Sequence, residues 1–255
     1  MIHIFTSVVN RPEFVIIQNK LFKKFLKNEY KFHIIDDSID NKMTEQFRNI
    51  CSDNDLQYYK TPKELEHSNP STKVGNVIQW AFDNIIKKCY ASDIIFWLDS
   101  DMFLIDDFDI EEYVSDCIIA GVPQHRGHIK YMWNAIMFFN MPKLIALDPD
   151  INFNVDYIDG HHLDTGGETY HYFKRNNIEM KPVDANGAIY PTHFNNIDLQ
   201  KDAGGYNMEL HLDGKFLHYR AASNWHSNWR SSDDPLNKKT EIFNTIINDV
   251  LEDNV

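Results

Sequence analysis

The stretch Ile94-Ile95-Phe96-Trp97-Leu98-Asp99-Ser100-Asp101 passes abruptly from a strongly hydrophobic run to two carboxylates. The β-branched and aromatic run predicts a buried strand of a largely parallel sheet. Ligands of open α/β sheets bind just outside the carboxyl ends of such strands. Because side chains two apart on a strand point the same way, we expect Asp99 and Asp101 to converge while Ser100 turns aside. Paired carboxylates suit a hard divalent cation. The alternative interpretation is a solvated turn after a core strand.

The N-terminal part of the chain alternates between strand and helix patterns. Strands are predicted at Ile2–Val9, Tyr30–Ile35 and Asp55–Tyr59. Helices are predicted after Pro12, which suits a first helical turn, and after Asp40, which can cap a helix. This alternation is typical of a doubly wound nucleotide-binding half. We therefore predict an α/β fold with a mixed, mostly parallel central sheet flanked by helices.

The remainder of the chain is less regular. Its pattern predicts strands at Cys117–Val122, Ala135–Phe139 and Phe216–Tyr219, helices at Glu168–Arg175 and Leu236–Leu251, and a loop-rich stretch from Ala185 to Gly214. The sequence contains no internal repeat and no low-complexity linker. These features favour a single domain that covers residues 1–255.

The charge balance restricts the classes of partner. The chain carries 25 Lys and Arg against 38 Asp and Glu, a formal net charge of −13. General binding to nucleic acid or to an anionic membrane surface requires clustered positive charge, so neither is expected. A pyrophosphate remains a possible ligand, because a bound metal ion can supply the local positive charge.

Cysteine content and hydropathy predict a cytoplasmic protein. The three cysteines, Cys51, Cys89 and Cys117, are widely spaced and lie beside apolar residues, which is typical of reduced thiols. The apolar run that starts at Met1 is too short for a signal peptide, since Asn10-Arg11-Pro12 soon interrupts it. No stretch of the sequence approaches the length of a membrane span.

Polar residues follow two further predicted strands. The first strand ends in Thr6-Ser7-Val8, with Arg11 in the loop beyond it, and the second ends in Asp36-Asp37. Backbone groups after the first strand and a carboxylate after the second can hold a nucleobase through its N–H donors. The alternative for Asp36 and Asp37 is a simple turn-forming role.

A candidate phosphate site lies between the third strand and the Ile94 strand. Lys73 and Asn76 open a predicted helix, and a free helix N-terminus beside an ammonium group favours phosphate. Lys73 can equally be a solvated surface cation. These residues, together with those at the strand ends, predict a nucleotide-binding surface.

Taken together, these features resemble the GT-A fold glycosyltransferases. The resemblance is carried by the Rossmann-like N-terminal half, by the Asp-x-Asp of residues 99–101, and by a late His before a Trp in the segment Phe216–Trp225. It covers the chain from Ile2 to about Trp229. It implies transfer of a sugar from a nucleoside-diphosphate donor to a glycan or other hydroxyl acceptor. Residues 1–122 would form the nucleotide-binding half, and residues 123–255 the acceptor-binding half with a metal-completing C-terminal segment.

The resemblance also implies a metal site and its ligands. Asp99 would face the ribose and the metal, Asp101 would be the direct ligand, and the two roles can be exchanged. His218 would complete the metal shell, although a buried core histidine is the alternative. Two carboxylates and an imidazole suit Mn²⁺ or Mg²⁺.

Residues around this site are assigned to the donor by the same resemblance. Arg220 and Asn224 would reach phosphate oxygens, and Trp225 would lie over the diphosphate. Trp133 and Asn134, which precede the Ala135–Phe139 strand, would contact the donor sugar. Core packing is the alternative role for Trp225.

The segment Leu163–Glu168 is the expected catalytic loop. Gly166 and Gly167 let the backbone approach a ligand closely. Asp164 would deprotonate the acceptor in an inverting enzyme, or stabilise an oxocarbenium-like state in a retaining one. Glu168 is the second candidate base. Asp164 can alternatively serve only as a helix cap.

Two other classes of protein remain open. Haloacid-dehalogenase-type phosphatases also carry Asp-x-Asp after an apolar strand, but on the first strand and followed closely by Thr or Val. Here the motif lies about a hundred residues into the chain, and Met102-Phe103 follow it. The other alternative is a carbohydrate- or nucleotide-binding module in which the carboxylates only position a ligand.

Overall fold

The computed structural model describes residues 1–186, 208–220 and 233–252, with side chains given for 1–184, 208–220 and 238–252. The chain divides into two compact units. The first unit comprises Met1–Pro12, Asn28–Ser100 and Asp109–Val183, and the second comprises Glu13–Lys27, Asp101–Phe108 and Asp184–Val255. The single-domain assignment stays a prediction.

The described residues contain both helices and strands throughout. The strands are β1 (Ile2–Val8), β2 (Tyr30–Asp36), β3 (Gln57–Lys60), β4 (Ile94–Asp99), β5 (Met102–Leu104), β6 (Ile119–Arg126), β7 (Ile129–Asn140), β8 (Asp156–Ile158), β9 (His161–Leu163), β10 (Lys181–Pro182), β11 (Ala185–Asn186), β12 (Glu209–His211) and β13 (Phe216–His218). The helices are α1 (Pro12–Phe25), α2 (Asn41–Asp53), α3 (Pro70–Ala81), α4 (Lys87–Cys89), α5 (Ile110–Val114), α6 (Met141–Leu147), α7 (Thr169–Asn176) and α8 (Asp233–Leu251). A 3₁₀ turn spans Lys63–Leu65, and a π-helical turn, Phe82–Ile86, joins α3 to α4.

The first unit is built on a mixed sheet. Within the described residues this sheet has seven strands in the order β10-β6-β7-β4-β1-β2-β3. Strands β4, β1, β2 and β3 are parallel to one another, whereas β7 runs antiparallel to both β4 and β6. The predicted α/β class with a mostly parallel central sheet is confirmed. The strand order reverses between β1 and β4, and ligands of open α/β sheets bind at such switch points.

The core of the first unit follows from its strand sequences. Phe5, Ile95 and Trp97 on the central strands are at most 1% exposed and pack with apolar residues of α3, such as Val77 and Ile78. Helix α3 presents these residues at helical spacing, so one face is buried against the sheet. The central strands are therefore packed against α3.

The second unit contains its own sheet and core. Its described strands form the antiparallel order β11-β12-β13-β5. Phe14 of α1 packs edge-on against Phe103 of β5, with ring centroids 5.0 Å apart, and also contacts Phe243 of α8. These aromatic contacts stabilise one apolar face of the small sheet.

Two predicted boundaries beside the candidate site differ from the structure. Strand β4 ends at Asp99, and Ser100 and Asp101 form a turn before β5, so the argument that a continuous strand aligns both aspartates is wrong. Helix α3 begins at Pro70, because the Asn69 side chain caps it by accepting from the amides of Ser71 and Thr72. Other predicted elements are shifted by a few residues at their ends, β7 is described below, and the short strands β5, β8, β9, β10, β11 and β12 were not predicted. In the described part of the chain, no helix has the length and apolar character needed to span a bilayer.

Candidate functional site

The carboxyl ends of the three central strands lie side by side in the first unit. Ser7 of β1 lies opposite Asp99 of β4, and Val8 of β1 lies opposite Asp36 of β2. Thr6 is fully buried, and its Oγ1 has no hydrogen-bond partner among the described residues. The predicted clustering of polar residues at one edge of the sheet is therefore present.

An irregularity in β7 places Asn134 beside Asp99. The pairing of β6 with β7 jumps from Gly121↔Met137 to Val122↔Trp133. The extra residues on β7 form a bulge, a feature that re-aims side chains near active sites. Asn134 is 5% exposed, and its Nδ2 donates to Asp99 Oδ1 at 3.2 Å. The sequence predicted a strand starting at Ala135, whereas the structure has one bulged strand that includes Trp133 and Asn134.

Asp36 is buried, and its carboxylate contacts other residues of the protein. Its carboxylate accepts from the amide of Ser38 at 2.8 Å, from Ser38 Oγ at 2.5 Å and from the Tyr58 hydroxyl at 2.7 Å. Lys60 Nζ lies 3.2 Å from the same carboxylate. Burial alone would raise the pKa of Asp36, but these donors outweigh it and hold the pKa below its ordinary value. The carboxylate therefore fixes the loop that follows β2.

Asp37 and Lys73 form a buried ion pair rather than an open phosphate site. Lys73 Nζ lies 3.0 Å from Asp37 and 2.8 Å from Glu66, and both Asp37 and Lys73 are 6% exposed. Burial would lower the pKa of Lys73, but the two carboxylates outweigh it and raise the pKa. Because α3 starts at Pro70, Lys73 and Asn76 lie within the helix and not at its opening.

A cleft of about 700 Å³ adjoins this pair at the ends of β2 and β3. Its walls combine three cations, three carboxylates and several neutral polar groups. The lining residues are Asp37, Ser38, Ile39, Asn41, Thr44, Glu45, Arg48, Lys60, Thr61, Pro62, Lys63 and Glu66. A volume of this size is typical of a small-molecule site. Asp37 is the predicted substrate-binding residue that lines the cleft.

The loop that contains Asp164 is anchored from several sides. Thr165 Oγ1 donates to the Ser71 carbonyl at the start of α3 at 2.8 Å, and the Met132 amide donates to Thr169 Oγ1 at 2.9 Å. Asp164 is half-buried, and its Oδ1 accepts from the Thr165 amide at 2.8 Å. The cap position of α7 belongs to Glu168, which makes no side-chain capping bond there. A carboxylate is thus held on a well-supported loop.

The two glycines of this loop approach the protein's own backbone. Gly166 has φ +90°, and a Cβ at that position would stand 1.9 Å from the Met132 carbonyl oxygen. A Cβ on Gly167 would stand 2.6 Å from Cβ of Leu163. Close packing against β7 and within the loop explains both residues, so their predicted contact with substrate stays a prediction.

Glu168 belongs to a second group of polar side chains. Its carboxylate lies within 4.8 Å of ligand atoms from Asp156 and His171. His171 Nε2 and Asp156 Oδ2 are 2.8 Å apart. Glu168 is therefore adjoined by a half-buried carboxylate and an exposed imidazole, which distinguishes it from Asp164.

The second unit brings together Asp101 and His218. Oδ1 of Asp101 lies 3.4 Å from Nε2 of His218, and both side chains are largely buried. Strand β13 pairs with β5 so that His218 lies opposite Met102, and the Tyr219 amide donates to the Asp101 carbonyl at 2.8 Å. The backbone pairing of these strands fixes the distance between the two side chains.

Glu209 and His211 of β12 adjoin the same imidazole. Glu209 lies directly opposite His218 in the sheet, and its Oε2 is 3.4 Å from Nδ1 of His218 and 3.7 Å from Nε2 of His211. Arg220 Nη1 lies 2.6 Å from Oε1 of Glu209. Nitrogen and oxygen atoms of Glu209, His211 and His218 lie within 4.8 Å of one another, close enough to share an ion.

The protonation of this group follows from its surroundings. Burial alone would raise the pKa of Glu209, but the adjoining imidazoles of His211 and His218 and the charge of Arg220 hold it well below its ordinary value. Burial lowers the pKa of His211 and keeps its ring neutral near pH 7. The cluster therefore presents an anionic carboxylate between two imidazoles.

Several other predicted residues can be placed. Arg11 follows β1 with φ 62°, a left-handed conformation that is uncommon for a residue with a side chain. Trp133 is half-buried on β7, and Arg220 is half-exposed with φ 59°. Asn224 and Trp225 lie outside the described residues.

Glu209 and His211 were missed by the sequence analysis. The segment Met208-Glu209-Leu210-His211-Leu212 alternates apolar and polar residues, which is the signal of a half-buried strand. It was included in the predicted loop-rich stretch. Recognising β12 would have placed both polar residues on one face of the strand.

Comparisons with known proteins give only a distant structural likeness. No protein-family model matches the chain, and no curated protein sequence matches it. A crystal structure of the galactosyltransferase LgtC in complex with donor and acceptor sugar analogs is similar to 58% of this chain, with 12% identity and a TM-score of 0.38. An active-site mutant of LgtC gives 12% identity and a TM-score of 0.39. The similar regions span 61% and 60% of those chains, and no residue role is transferred from them.

Proposed function

We propose that this protein is a metal-dependent glycosyltransferase that moves a sugar from a nucleoside-diphosphate donor to a hydroxyl acceptor. The observation that carries the proposal is the pairing of Asp101 with His218, whose Oδ1 and Nε2 atoms face each other at 3.4 Å. In the sequence, Asp101 comes two residues after Asp99, which ends the apolar strand. A carboxylate and an imidazole in this arrangement provide two ligands for one divalent cation.

The geometry of Asp101 and His218 fits such an ion. In octahedral coordination with ligand bonds of about 2.1 Å, adjacent ligand atoms lie about 3 Å apart. The separation of 3.4 Å is close to that value. Mn²⁺ or Mg²⁺ is the proposed ion, with Asp99 as a further carboxylate on the sequence argument alone. When bound, it would neutralise charge that develops on the leaving diphosphate.

The nucleoside is proposed to lie near the ends of β1 and β2. Thr6, Ser7 and Val8 end β1, and the adjacent cleft is lined by Asp37 and Ser38. Because Asp36 holds Ser38 through two hydrogen bonds, we assign Asp36 a supporting role in this loop. The hydroxyl and amide groups along the cleft can hydrogen-bond a base or a ribose.

Asp164 is the proposed group near the reacting carbon. Among the described residues, Oδ1 of Asp164 accepts from Thr165 and Oδ2 has no protein partner. A carboxylate with one oxygen held and the other available can take a proton from an acceptor hydroxyl. Glu168 is the weaker candidate because Asp156 and His171 adjoin it.

The proposal is tested by assaying transfer and hydrolysis of UDP-, GDP- and TDP-sugars with and without Mn²⁺. We expect Mn²⁺-dependent turnover of one donor class, and an Mn²⁺-dependent rise in melting temperature with that donor. Asp101→Asn should abolish both effects, whereas Asp107→Asn, an exposed carboxylate of the same unit, should change neither.

Other outcomes would overturn the proposal. Hydrolysis of phosphomonoesters without use of nucleotide sugars would indicate a phosphatase. Donor binding without turnover at any acceptor would indicate a binding module. An Asp101→Asn variant that binds donor as tightly as the parent would exclude Asp101 as a ligand.

A further inference from the structure

We propose that Glu209 is a positioning residue that orients the His218 ring so that Nε2 faces Asp101. This inference rests on the proposed function, because it concerns how a metal-binding imidazole is held. A histidine that ligates a metal usually donates its other N–H to a carboxylate, which fixes both the tautomer and the ring orientation. Glu209 is the residue that the structure places at that second nitrogen.

The backbone pairing determines this contact. Strands β12 and β13 are antiparallel, and Glu209 lies directly opposite His218 in their register. Directly opposed residues of an antiparallel pair have neighbouring side chains on the same face of the sheet. The two nitrogens of His218 therefore face two different carboxylates, with Glu209 Oε2 3.4 Å from Nδ1 and Asp101 Oδ1 3.4 Å from Nε2.

Glu209 is itself held in place through its second oxygen. Arg220 Nη1 lies 2.6 Å from Oε1 of Glu209, a short charge-assisted contact. The carbonyl oxygen of Arg220 in turn accepts from Lys239 Nζ of α8 at 2.9 Å. The contact with Arg220 leaves the other oxygen of Glu209 toward the imidazole, whose angle it can define.

This contact assigns Arg220 a role that the sequence analysis did not anticipate. The resemblance to GT-A fold glycosyltransferases implied a contact between Arg220 and phosphate. In the structure its guanidinium contacts Glu209, and its left-handed backbone follows β13 directly. We assign Arg220 to the support of Glu209, so the line of contacts runs from Arg220 through Glu209 to His218.

The first test is Mn²⁺ affinity measured by calorimetry on the full chain. Loss of a carboxylate that supports a metal-binding histidine typically weakens metal binding by about 10–100-fold. We expect this loss in Glu209→Ala, a smaller loss in Glu209→Gln, which keeps an acceptor oxygen, and none in the control Glu241→Ala on the exposed face of α8. Unchanged affinity in Glu209→Ala would overturn the proposal.

A double-mutant cycle separates positioning from direct ligation. If Glu209 acts through His218, then Glu209→Ala should cause no further loss of Mn²⁺ affinity in a His218→Ala background. An equal loss in both backgrounds would mean that Glu209 contacts the ion independently, and this would overturn the positioning role.

The second test needs no metal. In ¹⁵N spectra of the metal-free protein, at a pH where the ring is neutral, His218 should carry its proton on Nδ1 in the parent and lose this preference in Glu209→Ala. A parent ring with its proton on Nε2 would contradict the proposal. If the parent shows the expected tautomer but binds no Mn²⁺, the orientation by Glu209 stands and the metal-dependent function fails.

Discussion

His3 and His33 are neighbours inside the first unit, with Nδ1 of His3 2.9 Å from Nε2 of His33. His33 is fully buried, and its ring stacks on Phe5 with centroids 4.3 Å apart. Its Nδ1 has no hydrogen-bond partner among the described residues. Burial lowers the pKa of His33 to about 3 and also lowers that of His3. Both rings are therefore neutral in the folded protein at pH 7.

This pair should make the folded state sensitive to mild acid. In the unfolded chain His33 takes up a proton near the ordinary histidine pKa of 6.5, whereas in the folded protein it resists protonation until about 3. The stabilising effect is thus complete above the unfolded value and is lost as pH falls between these limits. We expect the free energy of unfolding to fall by about 2 kcal/mol at two pH units below neutral, because only the unfolded chain then protonates His33. Urea titrations should show this slope in the parent and a smaller slope in His33→Phe. Equal slopes would contradict the assignment.

Gly166→Ala should be severely destabilising, because its Cβ would overlap the Met132 carbonyl oxygen. We expect a loss of more than about 4 kcal/mol in unfolding free energy, or failure to fold. Gly160→Ala is the matched control, since Gly160 also has positive φ but nothing within 4 Å of the added atom. That variant should lose only about 1–2 kcal/mol from backbone strain. Chemical denaturation of both variants provides the comparison. Similar losses of unfolding free energy would show that the loop shifts to accommodate the added methyl group.

Lys73→Met should leave Asp37 as a buried carboxylate without its cation. Removing one partner of a buried pair typically costs about 3–5 kcal/mol. Combining it with Asp37→Asn should recover part of that loss, because the buried charge of Asp37 is then removed. Lys63→Met, an exposed lysine on the same cleft, should stay within about 0.5 kcal/mol of the parent. Equal melting temperatures for Lys73→Met and Lys63→Met would show that the Asp37–Lys73 pair contributes little to stability.

Asp164→Asn should reduce kcat while leaving donor affinity intact. A positioned general base contributes about 10²–10⁴-fold to rate, and its amide isostere cannot accept the proton. Steady-state kinetics with the donor identified by the assay above measure kcat and KM separately, and Asp159→Asn, an exposed carboxylate nearby in sequence, is the control. A change confined to KM would assign Asp164 to binding.

The sequence was sufficient to predict the sheet and the polar ends of its strands. The apolar run before Asp99 and the alternation around Pro12 and Asp40 are local signals, and local signals are readable along the chain. The structure also places the side chains of Asp101 and His218 in contact, while their role as metal ligands stays a prediction.

Long-range contacts explain what the sequence could not show. Position 166 requires glycine because the carbonyl oxygen of Met132, which lies on β7, leaves no room for a Cβ. The burial of Asp36 depends on Tyr58 and Lys60, which reach it only after β2 and β3 have paired. Each of these roles is a property of packed neighbours and leaves no periodic pattern in the chain.

The position of β1 in the sheet has a consequence for protein synthesis. In the folded sheet, one edge of β1 pairs with β2, beginning at Ile2↔Tyr30. The other edge pairs with β4, beginning at Ile2↔Ile94. Until the ribosome has delivered Ile94, the amides and carbonyls along that second edge lack their native partners. An unpaired strand edge is a template for another chain. During that interval the second edge of β1 is open to pairing with a strand of another chain.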